Sequence, residues 1–179
     1  MARYVLLLRG VNVGTQNSLP MANLRSMLTK LGCTDVQTYV QSGNAVLETK
    51  LGSSALTKGI EKALEGYMGR PIATTLRTQT QLRAIVTADP FGTIVTNPAY
   101  FCVTFLSHAP TQSQLAPLHA QKFEPERFHP AGKEIYTWHP NGQANSPLAA
   151  ALDKLPLQGA VTRRNWNTVL KLLEMLGEN

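Results

Sequence analysis

The stretch RYVLLLRG, residues 3–10, decides how the fold begins, because it is an apolar run of one strand's length that ends at an arginine and a glycine. Such a run, followed by the polar loop 10–18, is typical of a buried strand. Pro20 suits the first turn of a helix, and apolar residues then recur at helical spacing from Met21 until Gly32 ends the helix. The chain is therefore predicted to start with a strand and a helix.

Four more elements follow in the first part of the chain. Polar and apolar residues alternate over 36–40, a second extended run covers 45–49, and Ser42-Gly43 between them suits a tight hairpin turn. Residues 54–68 carry apolar side chains at helical intervals, and a further strand is predicted at 72–76. The order β-α-β-β-α-β is that of the ferredoxin-like plait, in which two helices cover one face of a four-stranded antiparallel sheet.

The rest of the chain indicates a second, less regular plait. A connecting helix at 79–87 precedes the linker 89–98, which contains two prolines and further turn residues. The later elements are strands at 100–106 and 134–138 and helices at 112–120, 148–155 and 167–176. We predict an α+β protein of two ferredoxin-like α-β plait units with a C-terminal helix, divided into 1–77, 78–98 and 99–179.

Composition places the chain among ordinary globular proteins. Of its 179 residues, 43% are hydrophobic and 16% are charged, which argues against disorder. No apolar run approaches the roughly 20 residues of a membrane helix, and the start of the chain is unlike a signal peptide. We therefore expect a cytoplasmic protein with no membrane partner. Cys33 and Cys102 lie far apart in apolar segments, which indicates core thiols rather than a disulfide or a metal site.

The formal net charge of +6 is concentrated in the first part of the chain. Residues 1–77 hold 9 Lys and Arg against 4 Asp and Glu, whereas residues 78–179 hold 8 against 7. A positive field attracts anions such as phosphates and nucleic acid, although charge alone does not define a site.

Three polar turns carry the candidate site residues, and the first of them, between the first strand and the first helix, contains Arg9, Asn12 and Asn17. Gly10 and Gly14 would let the backbone fold around an anion at the start of the helix. The loop lacks the spacing of the known phosphate-binding motifs, which favours turn formation as the role of its glycines and asparagines. Arg9 favours binding, because an arginine that ends a buried strand needs an anion, a carboxylate or water.

The second polar turn contains Gln41, Ser42 and Asn44. These side chains can bind a base edge or a peptide, but stabilisation of the hairpin is the simpler role for them. Arg25, in the first helix, is a further candidate for contact with phosphate.

The third polar turn, residues 162–168, is predicted to begin the last helix. Arg164 and Trp166 could bind phosphate or stack on a base at the start of this helix. Equally, Asn165 or Thr162 could cap the helix, and Trp166 could anchor the core.

The polar turns also carry a resemblance to a known family. The motifs are RYV and LRGVNVG within 3–14, Met21 with Leu24-Arg25, TYVQSGN at 38–44, VTFL at 103–106, and RNWNTV at 164–169 with Lys171-Leu172. Together they resemble the bacterial family called domain of unknown function 1697, and the match runs from end to end. The resemblance implies an arrangement of two ferredoxin-like plaits, and it implies no reaction and no catalytic residue.

Three positions depart from the pattern of that family. Thr15 replaces a usual glycine, Pro147 replaces a usual lysine, and Arg163 replaces a common threonine. If the missing lysine supplied charge to a site, an anionic ligand would bind differently here, so the neighbouring Ser146 is not among the main candidates.

No motif for nucleophilic or metal catalysis is present. The four histidines are His108, His119, His129 and His139. They lie near prolines and turns without a Ser-containing elbow, and they are interpreted as surface or packing residues. Neither HExxH nor a carboxylate cluster occurs, so no metal and no cofactor is expected. Glu124 and Glu126 alternate on a stretch predicted to be extended, with both side chains on one exposed side.

Three functions remain open, and so does the oligomeric state. The first is a binding module for a nucleotide, RNA or another phosphate-bearing ligand, so that its partner would be a phosphate-bearing small molecule or nucleic acid. Its phosphate contacts would be Arg9, Arg25 and Arg164, and its polar contacts Asn12, Gln41 and Asn44. Against RNA, Tyr39 is the only aromatic residue on the predicted central strands of the first unit. The second is a metal-independent enzyme acting on a small anionic metabolite or nucleotide. The third is a structural or protein-interaction role.

Overall fold

The computed structural model describes residues 1–15 and 18–177, and Asn17, one of the candidate site residues, lies outside them. Within these ranges the protein has eight strands in two four-stranded antiparallel sheets, and six α-helices. The predicted α+β class is therefore confirmed. The chain forms two compact units, one of Met1–Ala84 with the segment that starts at Lys171, and one of Ile85–Leu170.

The first unit contains a four-stranded sheet and the helices that follow its strands. Its elements are β1 (Ala2–Leu8), α1 (Met21–Lys30), β2 (Thr34–Tyr39), β3 (Asn44–Thr49), α2 (Ser53–Met68), β4 (Thr74–Thr78) and the start of α3 (Gln79–Thr87), whose residues from Ile85 on belong to the second unit. The sheet order is β2-β3-β1-β4, with each neighbouring pair antiparallel. The central strand β1 is buried from Tyr4 to Leu8, as its apolar sequence predicts.

One face of this sheet packs against the first two helices. Leu6 and Leu8 of β1 share a core with Leu24 of α1 and with Leu56 and Ile60 of α2. The apolar residues of each helix recur at three- and four-residue intervals, so they lie on one face and bury together.

The second unit has the same order of elements. They are β5 (Phe101–Leu106), α4 (Gln112–His119), β6 (Arg127–Ala131), β7 (Glu134–Trp138), α5 (Pro147–Asp153), β8 (Val161–Asn165) and the start of α6 (Trp166–Met175), whose residues from Lys171 on belong to the first unit. The antiparallel order is β6-β7-β5-β8. Leu106 and Ile135 of the sheet pack with Leu118 of α4 and Leu148 and Leu152 of α5.

Both cysteines are buried thiols. Burial raises the pKa of Cys33, and it raises the pKa of Cys102, on the central strand β5, to about 12. None of the helices in the described ranges has the length and apolar character that crossing a membrane requires.

Two strands of the second sheet differ from the sequence prediction. Residues 162–165, predicted to begin the last helix, belong to β8, and the helix starts at Trp166. The strand β6 was not predicted at all. Both strands lie at the edges of their sheet, where a strand pairs with one neighbour only. Polar residues and proline are tolerated at such an edge, so neither strand shows an apolar pattern in its sequence.

The stretch around Glu124 and Glu126 also differs from the prediction. It forms a turn before β6, and the Glu124 side chain is 78% exposed while that of Glu126 is 9% exposed. The prediction that both acids face one exposed side is therefore wrong, because a turn does not alternate its side chains as a strand does.

Candidate functional site

Three loops meet at one end of the sheet in the first unit, and we call residues 9–15, 40–43 and 69–73 the loop cluster. In the antiparallel order of this sheet, the ends of β1 and β2 and the starts of β3 and β4 lie at the same end. The backbone N–H of Leu8 donates to Gly43 O at 2.8 Å, and that of Arg9 donates to Ala73 O at 3.1 Å. Hydrogen bonds therefore connect the first loop to both others.

Asn12 joins the first loop to the hairpin turn. Its Nδ2 donates to Leu19 O at 2.9 Å and to Gln41 O at 2.5 Å, and its Oδ1 accepts from Leu19 N at 2.7 Å. Asn12 has a φ of 55°, a left-handed conformation that asparagine tolerates better than most residues. The Asn12 amide thus sets the shape of the loop cluster.

The hairpin turn packs tightly on the end of β1. Gly43 has a φ of +84°, and a Cβ placed there would lie 2.7 Å from Val11 Cγ2 and 2.8 Å from Leu8 Cβ. Asn44 is buried, and its Nδ2 donates to Tyr39 O and Ser42 Oγ, both at 3.0 Å. The Asn44 amide therefore stabilises the hairpin, the structural alternative of the sequence analysis.

The loop cluster is cationic. Arg9 is exposed, and half-buried Arg70 donates from Nη2 to Gly10 O at 3.1 Å. The sequence has no Asp or Glu in residues 9–20, 39–44 or 69–73, so no carboxylate belongs to any of the three loops. Sequence analysis missed Arg70, although its place between a helix stop and the next strand was a signal for a loop at this end of the sheet.

The other first-unit candidates fall at or beside the loop cluster. The side chains of Gln41 and Ser42 belong to the exposed hairpin turn. Arg25 lies on α1, and its Nη1 donates to Thr38 Oγ1 at 2.6 Å, one residue before the end of β2. The structure thus brings Arg9, Asn12, Gln41, Ser42 and Asn44 together.

Tyr39 lies on the edge strand β2, so the prediction that it belongs to a central strand is wrong. The central strands β1 and β3 carry one aromatic residue, Tyr4, which is buried in the helix-covered core. The two central strands therefore offer no exposed aromatic platform of the kind that plaits use to stack RNA bases.

The three second-unit candidates are consecutive residues at the junction of β8 and α6. Arg164 donates from Nη1 to Thr162 Oγ1 at 2.8 Å, and burial lowers its pKa to about 10. Asn165 Oδ1 accepts from Thr168 N at 3.0 Å and so caps α6. Trp166 is buried and stacks on Phe101, with ring centroids 4.3 Å apart. Asn165 and Trp166 have the structural roles that were the alternative for this turn.

A buried polar cluster in the second unit was missed by sequence analysis. His139 is 0% exposed, and its Nδ1 lies 3.0 Å from Glu126 Oε1 and 2.9 Å from Ser146 Oγ. Its Nε2 lies 2.9 Å from Thr137 Oγ1. The Ser146 hydroxyl donates to Glu126 Oε1 and accepts from Ala149 N at 2.8 Å, so it also caps α5. The Ser-Pro pair at 146–147 was the one sequence signal for this cap.

The cluster has the composition of a hydrolase triad but a different geometry. In a triad the acid binds one imidazole nitrogen and the serine the other, whereas here Glu126 and Ser146 both lie at Nδ1 of His139. Burial lowers the pKa of His139, against the opposing effect of Glu126. Burial acts to raise the pKa of Glu126, but its hydrogen bonds outweigh burial and leave that pKa below the ordinary value. A neutral imidazole beside a carboxylate fits a structural network.

No group of three His, Cys, Asp or Glu residues within the described ranges is arranged to hold a metal ion.

Comparison with known proteins gives a family and a structural relative. The model of a family described as "Protein of unknown function (DUF1697)" matches residues 1–136. The structure of a conserved bacterial protein, SP0830 from Streptococcus pneumoniae, superposes with a TM-score of 0.82 at 25% identity, covering 98% of each chain. Comparison with curated proteins finds no match.

Proposed function

The chain belongs to the DUF1697 family, as its motifs within the matched residues 1–136 predicted, and we propose that it binds a phosphate-bearing ligand at the loop cluster of its first unit. We further propose that each unit is a ferredoxin-like plait. The strand orders β2-β3-β1-β4 and β6-β7-β5-β8 support this interpretation, since the first and third strands are central in each sheet, as in that plait.

The observation that carries the binding proposal is the combination of two arginines with loops that contain no carboxylate. The three loops themselves contribute no carboxylate that would compete with an incoming anion. This supports a site for an anionic ligand.

The chemistry of the loops suits phosphate. A guanidinium presents several N–H donors in one plane and can bind two phosphate oxygens at once. Arg70 donates through Nη2 to Gly10 O, which orients the rest of its planar group. Gln41 and Ser42 add polar groups on the adjacent turn, while Asn12 and Asn44 hold the loops in position. The lack of an exposed aromatic residue on the two central strands favours a small ligand over an RNA strand.

The test is direct titration with ribose 5-phosphate and inorganic phosphate, followed by calorimetry or amide chemical shifts. Arg9→Ala and Arg70→Ala should each weaken ribose 5-phosphate binding by about tenfold or more, because each removes a charge-assisted hydrogen bond worth about 1.5–3 kcal/mol. Shifts in the wild-type protein should be confined to the loop cluster.

The matched control is Arg127→Ala. Arg127 is exposed on β6 and lies 3.9 Å from Glu124, so its removal lowers the net charge by the same amount without touching the loop cluster. The affinity of this variant for ribose 5-phosphate should stay within about twofold of wild type, because Arg127 belongs to none of the three loops and exposed charges are screened by salt. An equal loss in all three variants would indicate non-specific attraction, and the absence of binding to the wild-type protein would refute the proposed function.

A further inference from the structure

Two valines are exposed in the loop cluster. Val13 is 67% exposed in the first loop, and Val40 is 51% exposed in the hairpin turn. Single exposed apolar residues are common on protein surfaces and need no explanation. These two differ because the Asn12 to Gln41 hydrogen bond joins the residues next to them, so one contact holds both valines in the same cationic cluster.

Val40 also has a backbone conformation that valine rarely adopts. Its φ is 50°, in the left-handed region, where a β-branched side chain clashes with its own backbone. Glycine or asparagine would take this conformation with less strain. Outliers of this kind cluster at functional sites, and here the outlier is a residue with an exposed apolar side chain.

The surroundings of the valines define the chemistry of an occupant. Arg9 and Arg70 belong to loops without a carboxylate, so the occupant carries negative charge. Val13 and Val40 offer an apolar surface, and exposed Gln41 and Ser42 offer donors and acceptors next to it. A nucleotide combines the three matching parts, which are a phosphate, the apolar face of a base and the polar edge of that base.

We propose that Val13 and Val40 contact the base of a nucleotide whose phosphate is bound by the arginines of the loop cluster. This inference rests on the proposed function and adds the class of ligand to it. Two valine side chains offer an apolar area that suits one base, whereas a lipid membrane would need a larger apolar face to hold the protein.

The experiment compares adenosine monophosphate with ribose 5-phosphate, which has the same phosphate and sugar but no base. Wild-type protein should bind the nucleotide about tenfold more tightly, the gain expected when a half-exposed pair of valines is covered. Val13→Ser and Val40→Gly should each remove most of this preference and leave ribose 5-phosphate binding unchanged. The control Ile94→Ser removes a 47% exposed apolar side chain outside the loop cluster and should change neither affinity.

Unfolding of the same variants separates a binding role from a folding role. Val40→Gly relieves the left-handed strain, so its urea midpoint should equal or exceed that of wild type while its nucleotide preference falls. A lower midpoint together with an unchanged preference would overturn the inference, because Val40 would then serve the fold.

The remaining outcomes distinguish the two proposals. Equal affinity of the wild-type protein for the nucleotide and for ribose 5-phosphate would overturn the role of the valines and leave the phosphate site intact. A preference for the nucleotide that persists in Val13→Ser and Val40→Gly would also overturn it. If neither compound binds, the proposed function fails and this inference fails with it.

Discussion

Gly43 is the residue on which the geometry of the loop cluster depends most. A methyl group there would meet Val11 and Leu8, both buried, at less than 3 Å, and the φ of +84° is strained for any other residue. Gly43→Ala should therefore lower the free energy of unfolding by about 2–4 kcal/mol, measured by urea unfolding.

Gly66 provides the matched control for this substitution. It lies within α2, and a Cβ there would meet nothing within 4 Å. Gly66→Ala should raise the free energy of unfolding by about 0.5–1 kcal/mol through helix propensity. If both substitutions raised the free energy of unfolding, the close contacts of Gly43 with Val11 and Leu8 would not limit which residue is tolerated there.

The amide side chains show why residue types alone did not define the site. Asn12, Gln41 and Asn44 were candidates to read polar edges of a ligand, with stabilisation of their turns as the simpler role. In the structure Asn12 donates to a backbone carbonyl of the hairpin turn, and Asn44 donates to a backbone carbonyl of its own hairpin. Sequence cannot separate these roles, because an asparagine that holds a turn and one that binds a ligand have the same local neighbours.

At the scale of elements, the polar cluster around His139 ties three segments of the second unit together. Glu126 precedes β6, His139 follows β7, and Ser146 precedes α5. The Glu126 carboxylate accepts from Ser146 Oγ and from Leu148 N, the latter at 3.0 Å, and it lies beside the neutral imidazole. The start of α5 thus depends on the protonation states of two buried groups.

The pH dependence of stability follows from the directions of the two pKa shifts. The pKa of folded His139 is lowered, so below about pH 6.5 the unfolded chain takes up a proton that the folded protein resists, and stability falls. The pKa of folded Glu126 is also lowered, which adds a loss below about pH 4.5. Urea unfolding between pH 7 and pH 4 should show a decline that starts near pH 6.5.

The decline between pH 7 and pH 5 should be assigned to His139 by substitution. His139→Gln should be less stable than wild type at pH 7 and should show a flatter dependence in this window. His129→Gln removes an exposed imidazole on the neighbouring strand β6 and should keep the wild-type slope. A wild-type slope in His139→Gln would contradict this assignment.

At the scale of the whole molecule, the net charge of +6 raises the question of whether binding is local or general. Lys154→Glu changes the net charge by two at an exposed position of the second unit. We expect this variant to bind ribose 5-phosphate within about twofold of wild type, whereas Arg70→Glu should abolish binding, because Arg70 belongs to the loop cluster and Lys154 is a salt-screened charge outside these loops. Calorimetry at 0.15 M salt provides the comparison. Equal losses of affinity in the two variants would indicate attraction by the overall positive charge rather than binding at the loop cluster.

The whole molecule also shows which parts of a fold the sequence predicts. The elements of the first unit were located because β1, α1 and α2 each bury one or both faces and carry a matching period. The edge strands β6 and β8 were missed because polar side chains suffice there. The His139 cluster was missed because β6 was missed. The pairing of Arg127 in β6 with Trp138 in β7 brings Glu126 beside His139.

The two buried thiols make the native protein suitable for site-specific labelling. Cys33 and Cys102 are both buried with raised pKa, so they hold little thiolate at neutral pH and should react slowly with maleimides while the fold is intact. A cysteine introduced at exposed Val13 would react first and would carry a fluorophore at the loop cluster without removal of either native cysteine. Because the two core thiols react slowly, a single fluorophore at position 13 can report on the loop cluster.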